Sequence, residues 1–326
     1  MIVAKPNFPE FMSAPAGALP DTGSGFLCGL DHLGVIEASG DDAAGFLHNQ
    51  LTNDILGLEQ GRAELAGYCS PKGRLLASLM VWRAGDRIYL TLPGEILPSF
   101  LKRLQMFVLR SKVTLKDVSA QWLMIGVAST SSNNPSPIWS CTTDEHGTQI
   151  RVPDAGPLQR WLWVGKPEGA QQAWALWSSK LPAVPASIWR WSEIIAGLPQ
   201  IVDATREQFV PQMINFELVG GVNFKKGCYP GQEIVARSQY LGKTKRRTLL
   251  AFTDDATACA GIEVFSVNDP EQPCGMVVNA EAGPDGRMAC LVELKMEARE
   301  ASVHLRALNG PTLEFGELPY ALNAET

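Results

Sequence analysis

The chain has 326 residues, with 28 Lys or Arg against 34 Asp or Glu, so its formal net charge is −6. Hydrophobic residues make up 45% and charged residues 19%, which excludes a largely disordered chain. At roughly 100–200 residues per domain, we expect two or three packed units. No apolar run approaches the roughly 18 residues of a membrane span, and the Pro-containing first 20 residues lack a signal-peptide core. We therefore expect a cytoplasmic protein that does not bind membranes.

The seven cysteines are an odd number and include no C-x-x-C pair; they are Cys28, Cys69, Cys141, Cys228, Cys259, Cys274 and Cys290. Their spacing does not match a disulfide framework, a zinc site or a resident iron–sulfur cluster. We therefore expect no bound metal. Most of the thiols are expected to be small buried hydrophobic side chains.

Hydrophobic periodicity predicts the order β-α-β-β-β-α-β after a loosely ordered Pro-, Gly- and Ala-rich segment over residues 1–30. The predicted strands are Val35–Ala38, Glu64–Cys69, Leu75–Trp82, Arg87–Leu92 and Lys112–Val118. The first predicted helix begins at Asp41-Asp42, and the second spans Glu95–Leu109. This order resembles a ferredoxin-like unit with one added strand. The composition of Ser129–Pro137 is typical of a linker.

The sequence pattern changes near Thr248, where short runs of β-favouring residues alternate with turn residues. The runs are Thr248–Phe252, Glu263–Val267, Met276–Asn279, Met288–Leu294 and Ser302–Ala307. Evenly spaced short strands predict a small antiparallel barrel as a separate C-terminal domain.

One window of the chain is basic although the whole is acidic. Residues 222–250 hold seven basic residues and one acid, a net charge of +6 against −12 for the remainder. Such a local excess predicts an anionic partner at this window.

The same window contains the only cysteine with a motif around it, within residues 224–237. Lys225 and Lys226 next to Cys228 favour its thiolate form. Pro230-Gly231 fits a tight turn, and Gln232-Glu233 then begins a helix whose N-terminus favours anions. From the residues alone, a reactive thiol and an ordinary turn with a buried cysteine both remain open.

The motif Lys226-Gly227-Cys228-Tyr229-Pro230-Gly231-Gln232-Glu233 resembles the K-G-C-Y-x-G-Q-E signature of the YgfZ family of tRNA-modifying proteins. That family is the folate-binding branch of the glycine-cleavage T-protein superfamily. Further segments resemble it over nearly the whole chain, and these are Gly40–Asp54, Phe209–Gln212 with Asn215, and Glu317–Tyr320.

The resemblance implies an α+β fold in which residues 1–245 form a folate-binding region of two ferredoxin-like subdomains. Residues 246–326 would then form the C-terminal antiparallel β-barrel. The resemblance also implies a tetrahydrofolate derivative as cofactor, with contacts at Trp189, Leu33 and Asn53. Leu33 stands where the family has a pocket tryptophan, and simple core packing is the competing interpretation of Trp189.

The resemblance implies that Cys228 is the essential thiol. The motif loop that surrounds it comprises Lys226, Gly227, Tyr229, Gly231, Gln232, Glu233 and Arg237. The implied role is that of an accessory protein for iron–sulfur cluster assembly or repair and, through it, for tRNA thiolation by radical iron–sulfur enzymes. Those client enzymes and folate are the expected partners, with tRNA involved indirectly. Transient cluster handling, redox protection and one-carbon transfer remain open as the chemistry of the thiol.

Two alternatives accompany this hypothesis. The first is a folate-dependent aminomethyl- or methyltransferase. Where aminomethyltransferases carry an aspartate pair, the resemblance places Ala77-Ser78; without a carboxylate acid or base there, glycine-cleavage activity is not expected. The second is a nucleic-acid-binding module that uses the basic window, whose affinity would fall steeply with salt.

Overall fold

The computed structural model describes residues 8–14, 18–131, 136–240 and 245–322 and contains 21% helix and 35% strand. The described residues fall into two units. The first is drawn from 1–50, 54–66 and 79–189, and the second from 51–53, 67–78 and 190–326. The domain limits expected near 129–137 and at 245/246 stay predictions, and residues 132–135 and 241–244 lie outside the described residues.

A 3-10 turn at Glu10–Met12 precedes the regular elements. Up to residue 195, the strands and helices are β1 (Gly25–Gly29), β2 (Leu33–Ser39), α1 (Ala43–Gln50), β3 (Ala63–Cys69), β4 (Leu75–Ala84), β5 (Arg87–Pro93), α2 (Leu97–Gln105), β6 (Thr114–Asp117), β7 (Leu123–Ser129), β8 (Cys141–Thr143), β9 (Gly147–Ala155), β10 (Leu158–Gly165), α3 (Pro167–Ser178) and α4 (Ala186–Ile195).

The predicted β-α-β-β-β-α-β order is confirmed by a five-stranded sheet with the order β3-β4-β5-β2-β6. Strand β2 lies antiparallel between β5 and β6, with Leu33 opposite Pro93 and Ile36 opposite Asp117. The first strand of this sheet in chain order, β2, therefore lies between two later strands, as a ferredoxin-like unit requires. The added strand β3 lies at one edge.

A second five-stranded sheet has the order β1-β7-β10-β9-β8, with every described pairing antiparallel. The expectation of a loosely ordered segment over residues 1–30 was wrong at β1. Glycine suggested a loop, but a Cβ on Gly25 would lie 2.3 Å from the Ala128 carbonyl oxygen. Glycine here permits close strand approach, and Phe26 to Cys28 are buried.

Helix α2 is shorter than the predicted Glu95–Leu109. It begins at Leu97, with Pro98 in its first turn, and ends at Gln105. Residues 106–111 continue as overlapping turns, and Leu109 has a left-handed φ of +43°. Hydrophobic spacing alone did not reveal this ending, because the turn keeps a nearly helical pattern of apolar residues.

The elements after residue 195 are α5 (Gln232–Tyr240), β11 (Arg246–Thr253), β12 (Glu263–Ser266), β13 (Gly275–Ala282), β14 (Met288–Lys295), β15 (Val303–Leu305) and β16 (Glu314–Phe315). Their antiparallel sheet has the order β15-β12-β13-β14-β11-β16 and curls into a half-barrel. The five predicted C-terminal strands are confirmed. The Leu313 amide donates a hydrogen bond to the Val303 carbonyl of β15, and the Gly316 amide donates one to the Leu250 carbonyl of β11, both at 2.9 Å. The segment around β16 thus connects these two strands.

Candidate functional site

Cys228 lies exposed in the irregular segment that precedes α5. The Gln232 amide donates to the Tyr229 carbonyl at 3.2 Å, and Gly231 has a φ of +78°. The turn and the helix predicted after the cysteine are therefore confirmed. The alternative of a buried cysteine was wrong, because the side chain faces solvent.

The segment that leads to Cys228 is tied to residues 51–53. Thr52 Oγ1 donates to the Gly221 carbonyl at 2.5 Å, and its own carbonyl accepts the Asn223 amide at 3.0 Å. Asn53 Nδ2 donates to the Gly220 carbonyl at 2.9 Å. Three polar contacts thus fix the entry to the loop. In this arrangement Asn53, predicted to contact folate, contacts the loop.

Lys226 braces the same loop. Its Nζ donates to the Leu51 carbonyl at 2.8 Å and lies 4.9 Å from the centre of the Tyr229 ring. The Tyr229 side chain is buried, and burial first and the nearby Cys69 second raise the pKa of its hydroxyl. A cation over a buried ring stabilises the fold locally. These contacts give Lys226 a structural role beside the electrostatic one that the sequence predicts.

The turn between β3 and β4 supports the loop from its other side. The Gly73 amide donates to the Ser70 carbonyl at 2.8 Å, which closes this turn. A Cβ on Gly231 would lie 2.4 Å from the Ser70 carbonyl oxygen. The turn that contains Lys72-Gly73 and the turn at Pro230-Gly231 are therefore in direct contact, an arrangement that sequence reasoning missed.

Residues 209–217 form the support for α5 and β11. Gln212 Nε2 donates to the Val235 carbonyl at 2.8 Å, and Asn215 Nδ2 donates to the Thr248 carbonyl at 2.8 Å. Asn215 adopts a left-handed φ of +57°, which asparagine tolerates better than most residues. The Phe209–Gln212 and Asn215 motif therefore contributes scaffold contacts.

The basic window is partly neutralised inside the protein. Arg247 pairs with Glu217, and both side chains are nearly inaccessible to solvent. Arg246 pairs with the buried Glu293, whose pKa burial raises. Both glutamates lie outside residues 222–250, so the net charge of the window overstates what an external anion meets. Exposed lysines in its described part are Lys225 and Lys245.

Two motif residues of α5 form an exposed pair. Arg237 Nη2 lies 3.4 Å from Glu233 Oε1, four residues apart on the helix. Such surface pairs contribute little to stability. Lys243, also counted in the basic window, lies outside the described residues.

The other cysteines differ from Cys228 in exposure. Cys28, Cys69, Cys274 and Cys290 are buried, Cys141 is half-buried and Cys259 is exposed. Burial raises the thiol pKa to about 12 for Cys69, Cys141 and Cys290. At neutral pH these three thiols are protonated and weakly nucleophilic. Cys259 is therefore the matched control for Cys228.

The residues predicted to contact folate are buried, with exposures of 2% for Trp189, 4% for Leu33 and 7% for Asn53. Trp189 packs against Gly126, where a Cβ would lie 2.4 Å from the ring, and the Arg160 guanidinium lies 4.8 Å from the ring centre. Trp189 and Leu33 belong to the first unit and Asn53 to the second. As described, these side chains contact protein and offer no open face to a pterin.

The two residues that the resemblance places at the aminomethyltransferase carboxylate positions, Ala77 and Ser78, are buried core residues. Ala77 is buried, and Ser78 Oγ accepts the Ile201 amide at 2.8 Å. Neither residue supplies a carboxylate, and the Ser78 hydroxyl serves the backbone. This geometry offers no general acid or base at that point.

Within the described ranges, no group of three or more His, Cys, Asp or Glu side chains is placed to hold a metal ion. The same part of the chain has no helix that is both long and apolar enough to cross a membrane.

Residues 24–134 match the family model described as the GCVT N-terminal domain. The tRNA-modifying protein YgfZ of Photorhabdus laumondii is 30% identical, over 92% of this chain and 93% of its own. That of Vibrio vulnificus is 27% identical, over 91% and 92%. The crystal structure of the glycine cleavage system aminomethyltransferase T of Bartonella henselae has a TM-score of 0.72 at 15% identity, covering 95% of this chain and 88% of that one, which shows a shared fold. By these matches the chain belongs to the family of the tRNA-modifying protein YgfZ.

Proposed function

We propose that this protein is a cytoplasmic accessory factor for iron–sulfur cluster assembly or repair. Through client enzymes that carry such clusters, including radical enzymes that thiolate tRNA, it would support tRNA modification. One observation carries the proposal, namely that Cys228 is an exposed thiol on a loop held by several independent contacts. Membership in a tRNA-modifying family supports the same role.

A thiol that handles a labile group must be accessible, and its loop must hold it in place. Both conditions are met at Cys228, because Thr52, Asn53 and Lys226 fix the loop while the cysteine side chain faces solvent. The buried cysteines fail the first condition. In this proposal Lys226, Gly227, Tyr229, Gly231 and Gln232 act by shaping the loop.

Binding of a tetrahydrofolate derivative is a second part of the proposal, supported by the family resemblance. The buried side chains of Trp189, Leu33 and Asn53 do not form a ready pterin face, so the proposed function assigns no step to folate. Calorimetric titration with tetrahydrofolate derivatives tests this part. Measurable binding is expected, and its absence for every derivative would overturn the folate proposal.

The packing of Trp189 defines a second arm of that titration. If Trp189→Ala abolishes folate binding while the protein stays folded, the ring contacts the pterin. Unchanged affinity would instead assign the ring to the core, as its contacts with Gly126 and Arg160 suggest.

A folate-dependent transferase is the alternative, and the contact between Ser78 and Ile201 weakens it. Incubation with methylene-tetrahydrofolate and candidate amines or thiols tests it directly. Turnover of any acceptor would favour the transferase. We expect no turnover at the aminomethyl step, because Ala77 and Ser78 stand where the resemblance places the aspartate pair of aminomethyltransferases.

Direct tRNA binding by the basic window is also disfavoured. Arg246 and Arg247 are engaged by Glu293 and Glu217, and a protein that neutralises many phosphates needs free cations. We therefore propose that tRNA is involved only through the client enzymes. Filter binding at low salt should detect no tight complex with tRNA.

The test of the main proposal is complementation of a bacterial strain that lacks its own family member. The wild-type chain should restore both the thiolated fraction of tRNA and the activity of an iron–sulfur enzyme unrelated to tRNA. Restoration of thiolation alone, with that enzyme still impaired, would contradict a general role in cluster maintenance.

A further inference from the structure

The turns that follow helix α2 present three large apolar side chains to solvent. Met106 is 60% exposed, Phe107 43% and Leu109 87%. They differ from the core-facing side chains of α2, which are Leu97, Phe100 and Leu104 and are buried. We call residues 102–112 the α2 tip. Exposed apolar side chains that lie singly need no explanation, whereas three within four residues form a candidate interaction site.

The backbone of the α2 tip is fixed and strained. The amides of Phe107, Val108 and Ser111 donate to carbonyls three residues earlier, at 3.1, 3.2 and 2.8 Å. Leu109 nevertheless has a φ of +43°, a conformation that is disfavoured for bulky side chains. Because Leu109 is almost wholly exposed, its side chain gains no packing within the protein that would offset this strain. Strain without internal compensation is typical of functional positions.

The chain segment that carries these side chains is basic. Residues 97–113 contain four basic residues and no acidic residue, whereas the whole chain has a net charge of −6. The basic residues are Lys102, Arg103, Arg110 and Lys112. Lys112 forms an exposed pair with Asp41 at 3.5 Å. A small apolar centre with a cationic rim complements an acidic surface that has an apolar pocket.

We propose that the α2 tip is a docking surface for an acidic segment of a partner protein, with Leu109 as its apolar anchor. The proposal rests on the proposed function in one respect, since it takes that partner to be an iron–sulfur client enzyme. An anionic membrane is the competing occupant. Three side chains bury about as much apolar surface as one short acyl chain, which binds membranes only marginally. A protein interface, in contrast, gains most of its energy from a few such anchors.

Leu109→Gly is the central variant, because glycine adopts a positive φ without strain and an exposed side chain is lost. It should therefore fold at least as well as the wild type, so a loss of function cannot be attributed to unfolding. Leu56→Ala removes another exposed leucine of the same unit and serves as the matched control. Arg110→Glu reverses one charge of the rim.

The experiment places a photocrosslinking amino acid at position 109, or at position 56 as control, in the full chain in cells. We expect position 109 to crosslink to an identified iron–sulfur enzyme, with a yield about fivefold lower in the Arg110→Glu background. In the complementation strain, Leu109→Gly should lower tRNA thiolation while Leu56→Ala leaves it unchanged. Co-sedimentation with vesicles of phosphatidylglycerol and phosphatidylcholine should show no binding that depends on Leu109.

The proposal is overturned if Leu109→Gly and Arg110→Glu both restore thiolation as the wild type does. It is also overturned if Leu109-dependent binding is found to the anionic vesicles, which would assign the tip to a membrane surface. Failure of the proposed function has a different signature, because full activity of Cys228→Ala would remove the role of the thiol. In that case a specific crosslink at position 109 would still stand.

Discussion

Gly73 and Gly231 lie against each other beneath the Cys228 loop, although 157 residues separate them in the chain. A Cβ on Gly231 would lie 2.7 Å from the Gly73 Cα, and a Cβ on Gly73 would lie 2.8 Å from the Ile234 Cβ. Both glycines have left-handed φ values, of +70° and +78°. The turn after β3 therefore packs directly against the turn that begins α5, and neither position has room for a larger side chain.

Substitution of Gly73 by alanine should damage this contact. We expect Gly73→Ala to lower the free energy of unfolding by about 1–3 kcal/mol, since the new methyl group clashes with Ile234 and the backbone is strained. Urea unfolding measures the loss, and hydrogen exchange of the Gln232 and Ile234 amides should become faster.

Gly85→Ala provides the control for that experiment. Gly85 has a similar φ of +64°, but a Cβ there would meet no atom within 4 Å. It carries the backbone strain without the clash. Equal stability losses and equal exchange rates in the two variants would show that the Gly73–Gly231 contact is unimportant.

Thiol labelling should separate the seven cysteines by exposure. In the native protein, a maleimide at neutral pH should modify Cys228 and Cys259 rapidly, because both side chains are exposed. Cys69 and Cys290 should react only on unfolding, since burial raises the pKa of each thiol to about 12 and blocks access. Peptide mass spectrometry identifies the sites, and rapid native labelling of Cys69 would contradict the described fold.

The elements of the first ferredoxin-like unit and of the half-barrel were predictable because their apolar residues recur with helical or alternating spacing. Strand β1 was missed, since the glycines at its two ends, Gly25 and Gly29, also suit a loop. The turn and helix around Gly231 followed from local turn chemistry.

Other features of the site depend on contacts between distant residues, which periodicity does not encode. The bond from Lys226 to the Leu51 carbonyl and the contact between Gly73 and Gly231 belong to this class. The pairing of Arg247 with Glu217 is a further case, because their separation of 30 residues has no pattern. The basic window therefore looked more available to ligands than the structure makes it.

The buried Arg247–Glu217 pair should be essential for the support beneath the site. We expect Arg247→Met to lower the free energy of unfolding by about 3–5 kcal/mol, because it leaves a buried carboxylate without its partner. Burial already raises the pKa of Glu217. The exposed Arg237–Glu233 pair is the control, and Arg237→Met should cost at most about 1 kcal/mol. Similar losses for the two variants in urea titrations would contradict this assignment.

Asp255 should contribute to stability at the acid end of the pH range. Hydrogen bonds from Arg306 first and Thr257 second lower its pKa from 3.8 to about 2. Because its folded pKa lies below its unfolded value, its contribution is present above pH 3.8 and is lost as the pH falls towards 2. Asp255→Asn should therefore flatten the curve of thermal stability against pH in this window. Identical curves for the wild type and Asp255→Asn would refute the shift.

The most direct measurement compares two exposed thiols in the strain that lacks its own family member. Because the Cys228 and Cys259 side chains are both exposed, their alanine variants should fold equally well. We expect Cys259→Ala to restore the thiolated fraction of tRNA as the wild type does and Cys228→Ala to leave it at the level of the empty strain. Full restoration by Cys228→Ala would contradict the role proposed for this thiol.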